Sequence, residues 1–176
     1  NNNSKCFPPA LSTRLQMELR VLLESEENWC LATQYLQEWG ALTLIDQSIQ
    51  DDRKWERRLN SAFRLGVNPL TAFIANVPNP VDLAKRLDLP HSDQKFLMES
   101  TQINKHFLSL YFSKETEAWD AQQWCNEIES ANWKPTSIAI AICLRNPLWK
   151  SLLRWWGRWR LIQSKTTAKE LLSRGW

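Results

Sequence analysis

Apolar positions recur at helical spacing along most of the chain. Leu15, Leu19, Leu22 and Leu23 repeat as one face. Thr13 and Gln16 stand at the T-x-x-Q spacing of a capping box, so a first helix is predicted from Ser12 or Thr13. A second runs roughly from Glu27 to Trp39, with Leu31, Tyr35, Leu36 and Trp39 as its apolar set and Gly40 as its stop. After the short apolar stretch ALTLID, the charged segment DDRKWERRLNSAFRLG makes a third helix. Asp51 and Asp52 sit at its positive end, Trp55, Leu59, Ala62 and Phe63 face inward, and Gly66 ends it.

Prolines then punctuate the pattern. Pro69 and Pro80 each open a short helix, since a first-turn position needs no backbone N–H. A longer helix is predicted from Ser92 to Phe112 and another over Glu117–Ser130. PTSIAIAICL (135–144) is apolar nearly all round, which marks it as the most buried helix. Pro147 starts a Trp-rich helix, and TAKELL makes a last short one. No solenoid period repeats, and nothing alternates cleanly enough for a strand. The expected class is all-α, a multi-helix right-angled bundle of roughly nine or ten helices without a sheet.

The Trp-rich stretch LLRWWGRWR (152–160) sharpens the picture. On a helix over 148–162, Leu148, Leu152, Trp155, Trp159 and Ile162 form one apolar stripe, widened by Trp149, Leu153 and Trp156. Lys150, Arg154 and Arg158, four apart, line the opposite face. Arg160 falls near the Trp149 and Trp156 side, where its guanidinium can stack on an indole. Most of the tryptophans are therefore expected in the core, with the arginines outside. An interfacial membrane helix would share the pattern, but packing alone demands this stripe.

Composition agrees with a helical chain. The 176 residues include four glycines, well below average usage of about 7%. They fit one domain, or two small helical units sharing a core. No run of 18 apolar residues occurs to span a membrane, and NNNSKCFPPA lacks a signal-peptide core. That start is expected to be the end of a linker or a cut within a longer chain. Cys6, Cys30, Cys125 and Cys143 are spread singly, as in a cytoplasmic protein with reduced thiols, although their even number formally permits disulfides.

Charge is uneven. Residues 145–176 hold eight basic side chains against Glu170 alone, whereas the remaining 144 hold 14 basic and 18 acidic ones. A basic end on a mildly acidic body implies a polyanionic partner met at that end. The chain contains no Asp-x-Asp pair and no Gly-Ser turn. Asp51 and Asp52 point to different helix faces, which suits a helix-terminal cluster better than a metal site. His91 and His106 stand alone, without ligand spacing, and no Ser, His and Asp order suggests a triad.

Four segments, in order, resemble the C-terminal half of bacterial class II tRNA nucleotidyltransferases (CCA-adding enzymes) and the related poly(A) polymerases. RLQMELRVLLES (14–25) is similar to the R-x-x-x-E-L-x-x-(I/L)-L helix that joins neck to body, and YLQEWGAL follows it as an L-x-x-x-G-x-L break. PLWKSLLRWWGRWR precedes a tail similar to T-G-K-D-L-(L/I)-x-x-G, here Thr167, Ala168, Lys169, Glu170, Leu171, Leu172 and Gly175. Ala168 replaces the glycine of that pattern, and the chain stops at Trp176 where family members run on.

The resemblance implies a linker remnant at 1–11, a neck- and body-like helical domain over 12–112 and a tail-like domain over 113–176. It implies RNA as partner, tRNA above all, and a catalytic head N-terminal to these parts. Mg²⁺, held there by paired carboxylates, and CTP or ATP belong to that head. No cofactor is therefore expected for this chain, and no catalysis by it alone. Lys150, Arg154, Arg158, Arg160, Lys165, Lys169 and Arg174 are the expected RNA phosphate contacts, with Thr167 capping the tail helix beside them. The alternative is a helical protein–protein module with a basic docking face.

Overall fold

The computed structural model describes residues 9–24 and 28–162. Within these, all regular structure is helical. The order is α1 (Pro9–Glu24), α2 (Trp29–Glu38), α3 (Gln47–Gln50), α4 (Trp55–Leu65), α5 (Pro69–Ile74), α6 (Pro80–Arg86), α7 (His91–Ser113), α8 (Ala121–Ser130), α9 (Pro135–Leu144) and α10 (Trp149–Gly157). Single 3₁₀ turns cover Ala41–Leu44, Glu115–Ala118 and Trp159–Leu161. The protein is an all-α helical bundle.

Local chemistry sets most of the boundaries. Pro69, Pro80 and Pro135 stand in the first turns of α5, α6 and α9, where the missing N–H costs nothing. Gly66 ends α4 with φ +66, a left-handed conformation that side chains disfavour. Asp120 and Gln123 close a reciprocal capping box on α8, so that helix starts after a break rather than running on from Glu117.

Helix α9 organises the core. Its Ala139, Ile140 and Cys143 belong to a cluster with α1, α2 and α4–α6, whereas Ile138, Ala141 and Ile142 belong to a second with α7, α8 and α10. It packs on α7, α10, α4 and α5. Being apolar on every side, it can face both clusters at once. Helix α7 spans the same divide, with Leu97 in the first cluster and Ile103 and Phe107 in the second.

Several expectations are corrected. Helix α1 starts at Pro9, so Thr13 lies inside it and donates from Oγ1 to Asp88 Oδ2 at 3.1 Å instead of capping. Helix α2 buries Trp29 and Thr33, and its predicted apolar residues Leu31, Tyr35 and Trp39 are exposed. Thr33 fits the core because its hydroxyl donates to the Trp29 carbonyl at 2.7 Å. Asp51 and Asp52 precede α4 rather than belonging to it. The Trp-rich helix stops at Gly157, and Ile162 is 74% exposed instead of closing the stripe.

Candidate nucleic-acid interface

Helix α10 sorts most of its residues as its sequence pattern predicts, but Leu153, expected to widen the apolar stripe, is exposed. Leu152 and Trp155 are buried, and Trp155 donates its indole N–H to Glu129 at 3.3 Å. Leu148, Trp149, Trp156 and Trp159 pack against the same cluster from its edge. Lys150 and Arg154 lie exposed on the opposite face. Arg158 caps the helix C-terminally, exposed, with its N–H donating to the Arg154 carbonyl at 2.9 Å. Among the described residues none of these three makes an ion pair. Arg160 is different. Its guanidinium sits 4.3 Å over the Trp156 ring and its Nε donates to the Trp156 carbonyl, so it is turned back onto the helix. Lys165, Thr167, Lys169 and Arg174 lie outside the described residues.

A second basic surface was not anticipated from sequence. The exposed side of α4 meets the corner where α9 turns into α10, and a cleft of about 360 Å³ opens between them. Lys54, Arg57, Arg58, Asn76, Arg145 and Trp149 line it. A wider depression of about 660 Å³ adjoins, sharing Lys54, Arg57 and Arg145 and adding Arg53, Glu56 and Arg64. Six cationic side chains thus surround the joined recess, with Glu56 the acidic residue on its wall.

Arg58 forms the anchored part of this surface. It is 4% exposed, paired with Asp52, and shares the same terminal nitrogen with the Phe73 carbonyl at 3.3 Å. Asp52 also accepts from the Lys54 backbone N–H at 2.7 Å, which fixes the turn leading into α4. A buried guanidinium needs such a partner, because an unpaired charge there would cost several kcal/mol, on the order of 3–5. Asp52 thereby offsets Arg58, which leaves Glu56 as the acidic side chain among the five outer cations.

Arg145 completes the cleft from the α9 side. Its backbone is left-handed, φ 52 and ψ 52, which for a non-glycine residue costs about 1 kcal/mol or more. That geometry ends α9 and swings the chain toward Asn146. Asn146 is buried, donates to Asn104 Oδ1 at 2.9 Å and accepts from the Leu148 N–H at 3.0 Å. The Arg145 guanidinium lies 4.6 Å over the Trp149 ring, which holds it above the first turn of α10. Beneath it Cys143 is buried, and burial pushes its thiol up to about 12. A nucleophile held protonated is inert at neutral pH.

The sequence held a signal for this surface. Arg53, Arg57 and Arg64 recur at helical spacing opposite the buried Trp55, Leu59 and Ala62. In net charge they are offset by the neighbouring Asp51, Asp52 and Glu56. Arg145 joins them only through tertiary packing, across more than eighty positions of chain.

His106 pairs with Glu127 at 2.7 Å and stands edge-on to Phe107 and Trp133, inside the packing of α7 on α8. His91 opens α7, exposed. Cys30, Cys125 and Cys143 are free thiols. Among the described residues, no group of acidic, His or Cys side chains is arranged to hold a metal ion. Among them also, no helix is long and apolar enough to cross a membrane. Comparison with protein-family models, curated proteins and solved structures finds nothing that matches this chain.

Proposed function

We propose that this chain holds RNA by its phosphate backbone, as the non-catalytic part of an enzyme that extends RNA 3′ ends. The kind meant is a tRNA nucleotidyltransferase or poly(A) polymerase whose nucleotide-adding head is a separate, N-terminal domain. The observation that carries the reading is the exposed row Lys150, Arg154 and Arg158, set against indoles that turn inward. Cations presented without acidic partners release counterions from a nucleic acid when they bind it. Phosphate contacts position RNA without reading its sequence, which suits an enzyme acting on many tRNAs. The resemblance of segments 14–25, 147–160 and 167–175 to that enzyme class supplies the choice of RNA over other polyanions.

The test is a titration of the full chain with tRNA at several salt concentrations. Arg154→Glu with Arg158→Glu is expected to weaken binding and to lower the salt slope by roughly one counterion per lost contact. An affinity and slope untouched by the double reversal would refute the proposal.

A protein-docking role has its own observation in favour. Leu31, Tyr35 and Trp39 form an exposed stripe on α2, with Trp39 75% exposed and stacked on Tyr35 at 5.7 Å. Tyr35→Ser with Trp39→Ser would leave RNA affinity unchanged under the RNA-holding reading. Loss of RNA affinity in that variant would shift the contact surface to α2.

A further inference from the structure

The recess beside α4 differs in form from an open backbone track. Its inner part, about 360 Å³, has the size of a small-ligand site, for which roughly 300–1,000 Å³ is usual. Lys54 and Arg57 reach it from the start of α4 and Arg145 from the end of α9, so two separate elements aim cations at one volume. Arg58 is also in its wall, and its Nε is buried without a hydrogen-bond partner. The Trp149 ring under Arg145 and the left-handed backbone hold that guanidinium before any ligand arrives, which lowers the ordering cost of binding.

Such a cluster discriminates between phosphate types by charge. A phosphodiester carries one negative charge, whereas a phosphomonoester carries about 1.5 to 2 at neutral pH and offers three acceptor oxygens. Coulomb attraction to the same cations therefore nearly doubles for the monoester. Guanidinium groups can also engage its oxygens two at a time. A continuous strand must pass through a recess, while a chain end can enter it.

We infer that this cleft binds a phosphomonoester, the terminal phosphate of an RNA chain, with Arg57, Arg145 and Lys54 on its oxygens. The identity of the chain that carries the phosphate rests on the function proposed above. The phosphate site itself stands on the cleft. Free mononucleotides and inorganic phosphate share the ligand chemistry, and the experiment separates them from an RNA end.

The full chain is titrated with one single-stranded RNA sequence in three forms: 5′-phosphorylated, 3′-phosphorylated, and with hydroxyls at both ends. AMP and inorganic phosphate are added as competitors. One phosphorylated form is expected to bind about tenfold tighter than the hydroxyl-ended RNA, equal to about 1.4 kcal/mol. The preference should fade as pH falls through about 6, where the monoester gains a proton. The charged groups facing it are Lys54, Arg57, Arg58 with its partner Asp52, Arg53, Glu56, Arg64 and Arg145, and no histidine lines either cleft. Arg57→Gln with Arg145→Gln is expected to bring the ratio near one. Both side chains are exposed, and Arg145→Asn, which suits the left-handed backbone, is the second variant. Equal affinity for all three RNAs, or a preference that survives these substitutions, overturns the inference. Competition by AMP as strong as by phosphorylated RNA overturns the assignment to an RNA end. Hydroxyl-ended RNA that fails to bind at all overturns the RNA-holding proposal instead, and AMP binding then reads the cleft separately.

Discussion

Helices α4 and α10 are two versions of one design. Each buries a tryptophan and a leucine on one face and lines the other with basic residues. Their surroundings part them. On α10 the cations stand on an open surface, spaced along a helix. On α4 they converge with Arg145 on a recess whose wall is a buried ion pair. Equal charge thus gives an extended, adaptable contact in one place and a shaped site in the other. Neighbouring elements, rather than the helix itself, decide which is formed.

The sharpest way to break this comparison is at Arg58. Removing it strands Asp52, whose side chain is 7% exposed, so Arg58→Ala is expected to destabilise the fold by about 3–5 kcal/mol in urea denaturation. Arg154→Ala on α10 should change stability little, since surface charges contribute little. Comparable losses from the two would mean that the α4 surface is no more built than the α10 row.

Alkaline pH probes the floor of the recess next. Burial raises the Cys143 thiol from its ordinary 9.0 to about 12, with Arg58 and Arg145 pulling the other way. The unfolded chain loses that proton first. The stabilising contribution is therefore whole below about pH 9 and is lost as pH rises toward about 12, at about 1.4 kcal/mol per unit. Denaturation curves across that range should fall less steeply for Cys143→Ala than for the native chain. Parallel curves would mean that the thiol is not held protonated by its surroundings.

The smallest effect is at Arg145. Asparagine tolerates the left-handed backbone better than arginine, so Arg145→Asn should regain about 1 kcal/mol of strain. Loss of the contact with the Trp149 ring offsets part of that, about 0.5–1 kcal/mol. Melting is expected to shift by no more than a few degrees while phosphate affinity drops. A large loss of stability would make the arginine a structural element rather than a ligand contact.

Much of this architecture could be read in advance, and the reasons are local. The limits of α9 follow from Pro135 and a nearly unbroken apolar run, the end of α4 from Gly66, and the starts of α5 and α6 from their prolines. The exposed α10 row came from spacing alone. Where reading failed, another partner had won. Helix α2 carries two possible apolar faces, and only packing against α4 reveals that Trp29, which meets Trp55 edge-on at 6.1 Å, is the buried one. The Thr13 and Gln16 spacing is also what any helix interior can show by chance. The α4 recess depends on Arg145 arriving from a distant turn, which no local pattern encodes.

A wall shared by two rooms ties their fates together. Because α9 furnishes apolar contacts to both clusters, opening either half strips apolar cover from the helix on which the other half packs. Shortening Ile140 to alanine on one side should therefore loosen amides in α7 and α8 as well as those in α4, in one concerted opening. Hydrogen exchange would register α4, α7, α8 and α9 as a single cooperative unit, and the two basic surfaces would be lost or kept together.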